Sequence, residues 1–387
     1  MDGETDDKTL SIAAQGSIAA IGREAWDACA KPFGNPFLSY DFLEACETSG
    51  CATPQQGWAP RHLAVSDAAG RVRGVMPLYL KAHSQGEYVF DHGWAEAYER
   101  AGGRYYPKLL SGVPFTPVTG PRLLSAKPEV RALLAAGAVA LTDQLGASSL
   151  HVNFPLEREQ AAMTEAGLLP RQDVQYWWEN EGWADFDAFL AALSSSRRKT
   201  IRRERREAQA GVEIVTLTGA EITDEHWDAF FAFYMDTGAR KWGRPYLNRL
   251  FFALVGERMA ERIALVMARK DGRWIAGALN FIGDDALYGR QWGALEHIPF
   301  LHFELCYYRA IDFALERGLG RVEAGAQGEH KMARGYRPRP VYSAHYIADA
   351  RLRAAVKEYL DRERPAVIAE MGVLEAEYSP YRRGPPG

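Results

Sequence analysis

With 387 residues, 47% of them hydrophobic and 25% charged, the chain has globular composition and a length that favours two domains over one. Its apolar runs fall short of the ~20 residues a membrane-spanning helix needs, and the acidic start, 1–7, lacks the basic region of a signal peptide, so the expectation is a cytoplasmic protein without membrane insertion. A net charge of -4 gives no global attraction to DNA, and Cys29, Cys46, Cys51 and Cys306, without a C-x-x-C pair, suit a reducing compartment.

Apolar periodicity predicts helices over 23–30 and 39–47, the second capped by Ser39. Strands at 61–66 and 72–81 flank the turn 67–70 as a hairpin, with a third short strand at 87–90. Helix 130–145, strand 149–154, helix 158–166 and strand 168–179 follow, and the halves of the chain meet near 180–185. The second half opens with helices over 186–210, 224–238 and 246–259. It then repeats the hairpin, with strands 262–269 and 274–282 around Lys270-Asp271-Gly272 and a further strand at 286–292. Aligning LAVSDAAGRVRG with LVMARKDGRWIAG takes one inserted residue; internal duplication explains the match, and a generic amphipathic hairpin also produces it. Helix 301–317, strand 321–324 and a terminal helix over 352–376 complete the pattern. Hairpins joined by long helical crossovers give an α/β or α+β fold, a mixed sheet flanked by helices and built twice. The lobes are 1–180 and 181–387, the latter carrying the main site.

The chain contains no G-x-S-x-G, H-E-x-x-H or Walker loop. Its densest polar stretch, RVEAGAQGEHKMARGYR at 321–337, leads a short strand into a glycine-rich turn with Gln327, Glu329, His330, Lys331 and Arg334. Gly325 and Gly328 tolerate positive φ, so backbone N–H groups can face an anion and a nearby ammonium can complete an oxyanion site. A solvated polar loop is the alternative. Upstream, strand alternation puts Tyr288, Arg290 and Trp292 on one face, which suits a planar or anionic ligand, or an arginine stacked between aromatics. On helix 301–317 the core stripe leaves His302, Glu304 and Cys306 near its start. Glu304 is either a carboxylate base or an ordinary first-turn acid. His297, His302 and Glu304 are irregularly spaced for metal ligands, and no metal is expected.

The stretch SSSRRKTIRRERRE reads as a basic helix on which Arg198, Arg202 and Arg205 share a face, either for donor phosphates or tRNA or simply solvated. In the first half, Asp91, His92, Trp94, Tyr105, Lys108 and Phe115 fall in or beside loops dense in aromatics, prolines and glycines. Such loops line pockets or pack between lobes.

These stretches, with NPFLSYDFLEACE, DDALYGRQWGALEHIPFLHFELCYYRAIDFALERGL and GAQGEHKMARGYRPRPVYSAHY, resemble the FemAB-like predicted N-acyltransferases over nearly the whole chain. That bacterial family is related to the FemABX peptidyltransferases and, more distantly, to the GNAT acetyltransferases. The resemblance implies two tandem GNAT-like lobes, each a mixed, mostly antiparallel sheet flanked by helices. It implies transfer of an acyl or aminoacyl group from acyl-CoA or aminoacyl-tRNA, as co-substrate rather than tightly bound cofactor, to an amine. The acceptor would be a peptidoglycan precursor or a small amine metabolite, and tRNA a further partner. Lys331 looks like a late lysine of those relatives that stabilises the tetrahedral intermediate. GALEHIPFLHFE stands where a CoA-using lobe carries its pyrophosphate-binding glycine turn, a departure that puts CoA use in question.

The combined expectation is an acceptor amine, deprotonated by Glu329, His330 or Glu304, attacking an activated carbonyl whose oxyanion Lys331 stabilises. Tyr288, Arg290, Trp292, His302, Gln327, Arg334 and Tyr336 bind substrate, with the first-half residues Asp91, His92, Trp94, Tyr105, Lys108 and Phe115. A non-catalytic ligand- or precursor-binding protein with the same tandem fold is the competing expectation.

Overall fold

The computed structural model describes residues 9–241, 245–325 and 328–382, without the side chains of Lys241 and Glu329. The chain forms two compact units, Met1–Asp173 with Pro340–Ile368, and Val174–Arg339 with Ala369–Gly387.

Along the chain, β1 (Ser11–Gln15) and α1 (Arg23–Ala30) precede α2 (Tyr40–Thr48), whose first turn is closed by the Ser39 hydroxyl accepting from the Phe42 N–H at 3.3 Å. β2 (Trp58–Pro60) leads to the hairpin of β3 (His62–Ser66) and β4 (Val72–Met76). Asp67 shapes its turn by accepting from the N–H groups of Ala69 and Arg71. The strand expected over 72–81 is two strands. Pro77 cannot donate to a ladder, so β4 stays with β3 while β5 (Tyr79–Lys81) pairs with β2. No strand forms at 87–90, where Tyr88 has a φ of 60° and Glu87 and Asp91 turn inward. α3 (His92–Arg100), β6 (Lys108–Ser111), α4 (Pro128–Gln144), β7 (Ser149–Asn153) and α5 (Gln160–Glu165) follow.

β8 (Leu169–Glu179) opens the second stretch. The helix expected over 186–210 breaks into α6 (Phe186–Ala192) and α7 (Ser195–Ala208), because Leu193 and Ser194 are extended. β9 (Glu213–Thr218), α8 (Asp224–Lys241) and α9 (Arg249–Arg258) lead to β10 (Ile263–Lys270), β11 (Arg273–Ile282) and β12 (Ala286–Ala294). The next helix is interrupted by a π turn, Glu304–Tyr308, between α10 (Leu301–Phe303) and α11 (Arg309–Glu316). β13 (Arg321–Glu323), a 3-10 turn at Glu329–Arg334, β14 (Arg337–Ile347) and α12 (Ala350–Tyr378) end the chain.

The duplication expected from the hairpins is visible in the strand pairing. In the first unit β5/β6 is antiparallel, β6/β7 parallel and β7/β14 antiparallel. In the second, β11/β12, β12/β13 and β13/β8 repeat that sequence of antiparallel, parallel and antiparallel pairs. The core of the first unit packs α4 on the sheets through Val130, Leu134 and Ala138 against Leu63, Val65 and Leu150. In the second, the helix following β12 buries Leu305, Tyr308, Ile311 and Ala314. Among the described residues no helix is long and apolar enough to cross a membrane.

Candidate active site

In the second unit, β12 and β13 pair in parallel only from Ala286/Arg321 to Tyr288/Glu323. β13 then ends while β12 continues to Ala294, whose N–H donates to Thr237 Oγ1 at 3.1 Å and whose carbonyl accepts from Arg240 at 2.6 Å. β12 is also bulged. Leu279 pairs with Gln291 and Asn280 with Gly289, which makes Arg290 the extra residue. One extra residue inverts the alternation beyond it, so Tyr288 and Trp292 lie on opposite faces of the strand, and the expected row on one face does not form. Arg290 turns back over the Tyr288 ring, 5.4 Å from its centroid, with Glu323 at 4.0 Å.

The chain leaving β13 turns at Gly325 (φ 80°) and Gly328 (φ 111°) into Glu329–Arg334. Within this turn the Lys331 ammonium donates to the carbonyl oxygens of Ala324 (2.7 Å) and Gly325 (2.9 Å), leaving its third proton without a partner among the described residues. Burial, with Arg290 nearby, pulls its pKa down to about 7, against a smaller opposing effect of Cys306. His330 is exposed at the mouth of the turn and its Nε2 lies 3.0 Å from the Tyr307 hydroxyl. Burial of part of the ring and the charges of Arg334 and Lys331 lower its pKa, favouring neutral imidazole. A Cβ on residue 328 would fall 2.4 Å from that ring, so the turn needs glycine for space as well as for φ. Tyr307, Phe303 and His302 surround His330, and His302 in turn packs against Trp292 at 5.0 Å.

Other expected site residues are engaged elsewhere. Glu304 has no exposed surface; Arg205, Gln209 and Arg309 all bond to it, so the π turn makes it the anchor of an ion cluster and not an accessible base. Arg205 is thereby removed from any phosphate-binding stripe, and its other bonds go to Asp312. Arg198 donates to the Leu193 carbonyl and Arg202 pairs with Asp187. Arg334 lies over Phe303 at 3.4 Å and grips Glu204, which also receives the Tyr308 hydroxyl. Among the described residues the buried Tyr336 hydroxyl has no hydrogen-bond partner. Gln327 and the side chain of Glu329 lie outside the described residues.

In the first unit, Asp91, Tyr105 and Lys108 are buried in one polar network and not in open loops. Trp94 sits on α3 with its ring 4.9 Å from that of His345, and His92 is exposed at the start of that helix. Phe115, at a φ of 57°, packs on Trp58. Alternation along the short strands carrying Lys81 and His151 was the available signal for further members of the network. Tyr307 was legible only once the helix and the glycine turn are seen together. Among the described residues no three His, Cys, Asp or Glu side chains are grouped to hold a metal.

A family model, FemAB-like, described as peptidoglycan biosynthesis/recognition, matches residues 17–383. No curated protein matches the sequence. Among solved structures the chain is similar to FemX, with a TM-score of 0.55 at 12% identity, covering 87% of this chain and 98% of that one. It is similar to the C-terminal domain of a putative lysylphosphatidylglycerol synthetase from Agrobacterium fabrum, with a TM-score of 0.55 at 10% identity over 92% and 98% of the two chains. It is also similar to L-PGS from Bacillus licheniformis, with a TM-score of 0.52 at 10% identity over 93% and 97%. At these identities the likeness speaks for the fold alone, a mixed α/β architecture.

Proposed function

The chain belongs to the FemAB-like family, as an acyl- or aminoacyltransferase, and from this premise we propose that its second unit transfers an aminoacyl group from tRNA to an amine of a peptidoglycan precursor. The observation that carries the reading is Lys331, a buried lysine whose ammonium donates to the Ala324 and Gly325 carbonyls within the glycine turn that follows β13.

β13 ends at Glu323, short of the end of β12, and an extended donor arm is placed along β12 beyond it. The donor carbonyl then lies toward the turn 325–331. As the amine attacks, charge develops on the carbonyl oxygen, and Lys331, held by two backbone carbonyls, stabilises it without reorganising. Neutral His330, oriented by Tyr307, accepts the proton the amine loses in attack. It can return that proton to the leaving oxygen as the tetrahedral intermediate collapses.

A polyanionic donor is favoured by α7, where Arg197, Lys199, Arg202, Arg203 and Arg206 are exposed on one short helix. The name of the similar lysylphosphatidylglycerol synthetase domain denotes a lysyl group joined to a lipid, which supports an aminoacyl donor and leaves a lipid hydroxyl as second acceptor. Incubation of the protein with aminoacyl-tRNA or acyl-CoA and an amine-bearing precursor tests the reading. Product formation abolished by RNase is expected; release of free CoA thiol with RNase-resistant product would overturn the tRNA donor.

A further inference from the structure

The first unit contains a buried polar sheet face that acyl transfer in the second unit does not use. Register places Trp58, Lys81 and Lys108 side by side on β2, β5 and β6, with His151, Asn153, Ser343 and His345 on the same face of β7 and β14. The opposite face, Leu80, Leu109, Leu150, Val152 and Ala344, joins the apolar core. On the polar face, Lys108 donates to Ser84 (2.7 Å), Glu87 (2.8 Å) and Asp91. Tyr105 donates to Asp91 at 2.8 Å and lies 3.1 Å from His151, and the Nδ1 atoms of His151 and His345 are 2.7 Å apart. Lys81 sits 3.5 Å above the Trp58 ring and 3.5 Å from Glu87. An apolar core would be cheaper to bury than the two lysines and two carboxylates.

The two carboxylates come from one surface segment, 84–91, whose exposed residues Gln85, Tyr88 and Phe90 alternate with buried ones. The segment is held at local cost. Tyr88 has a φ of 60°, Phe90 is 60% exposed, and Asp91 stands at the N-cap of α3 without capping it because its carboxylate points to Lys108. Asp91 Oδ1 and Asn153 Oδ1 are buried without a hydrogen-bond partner among the described residues, so the face retains unused polar capacity.

We infer that this face is a binding site for a small dicarboxylate and that 84–91 is its lid, with Glu87 and Asp91 occupying in the closed state the places on Lys108 and Lys81 that the ligand takes when the lid opens. Tyr105 and Lys108 remain on the sheet to receive it. The site is independent of the acyl-transfer turn.

Succinate, inorganic phosphate and chloride at equal ionic strength, added to the full chain, test the inference. The readouts are calorimetric binding and the rate of chymotrypsin cleavage after Tyr88 or Phe90, mapped by mass spectrometry. Succinate is expected to bind saturably and to accelerate those cuts, while phosphate and chloride do neither. Glu87→Gln, which loosens the lid, should lower the half-saturating succinate concentration by about tenfold, and Tyr88→Gly, which relieves the closed backbone, should raise it. No saturable binding of succinate to the unmodified chain, or equal opening by phosphate, would overturn it whether or not the variants fold.

Discussion

Arg205 grips Glu304 with two hydrogen bonds, Nε to Oε2 at 3.2 Å and Nη2 to Oε1 at 3.1 Å, on a carboxylate with no exposed surface. Removing one partner of a buried pair costs about 3–5 kcal/mol when the other charge is left unpaired, whereas Arg205 here keeps Asp312. Glu304→Ala is therefore expected to lower stability by less than that, measured by chemical denaturation. A loss of turnover with unchanged stability would return Glu304 to the list of bases.

Gly328 carries the geometry of the turn. Its φ of 111° and the His330 ring, 2.4 Å from any added Cβ, leave no room for alanine. Gly328→Ala should cost about 1 kcal/mol of stability and displace His330, lowering kcat by about tenfold or more. Steady-state kinetics alongside thermal unfolding separates the two effects.

The pH dependence of turnover has a defined shape if Lys331 works as a cation and His330 as a base. His330 must be neutral, and its lowered pKa sets an acid limb below 6.5; Lys331 must be charged, and its pKa of about 7 sets the alkaline limb. A narrow bell in kcat/KM is expected. His330→Ala should remove the acid limb and reduce kcat by about 10²–10⁴.

Stability should respond to the same lysine. A lysine whose folded pKa falls from 10.5 to about 7 disfavours folding most at pH below 7. The unfolded chain binds the extra proton between about pH 7 and 10.5, so that penalty fades as pH rises through this window. Lys331→Met should raise the Tm at pH 7 and flatten the rise of stability toward alkaline pH, read from melts across the window.

Much of the fold was legible where local signals agree. Helix α1, the Ser39 cap and both hairpins stand where periodicity and turn chemistry put them, and the duplication is seen in the repeated strand pairing. The three-residue strand β2 carries too little alternation to be read. Pro77 split a run that looked continuous, and the bulge at Arg290 inverted a face that strict alternation had assigned. The turn that carries Lys331 and His330 was legible because glycines flagged it. Glu304 and Arg205 were misleading, because charges 99 residues apart give no sequence sign that they neutralise each other. The burial of Lys108 with Asp91 was hidden likewise, since a segment rich in Gly and Pro reads as a loop whichever way its carboxylates point.

In the proposed reaction the Lys331 ammonium stabilises the oxyanion of acyl transfer. Single-turnover rates of Lys331→Ala with aminoacyl-tRNA and a saturating amine acceptor test it most directly. The expected result is a fall in the chemical step of about 10²–10³, as for loss of one oxyanion donor, with substrate affinity retained. Full turnover in a folded Lys331→Ala protein would contradict it.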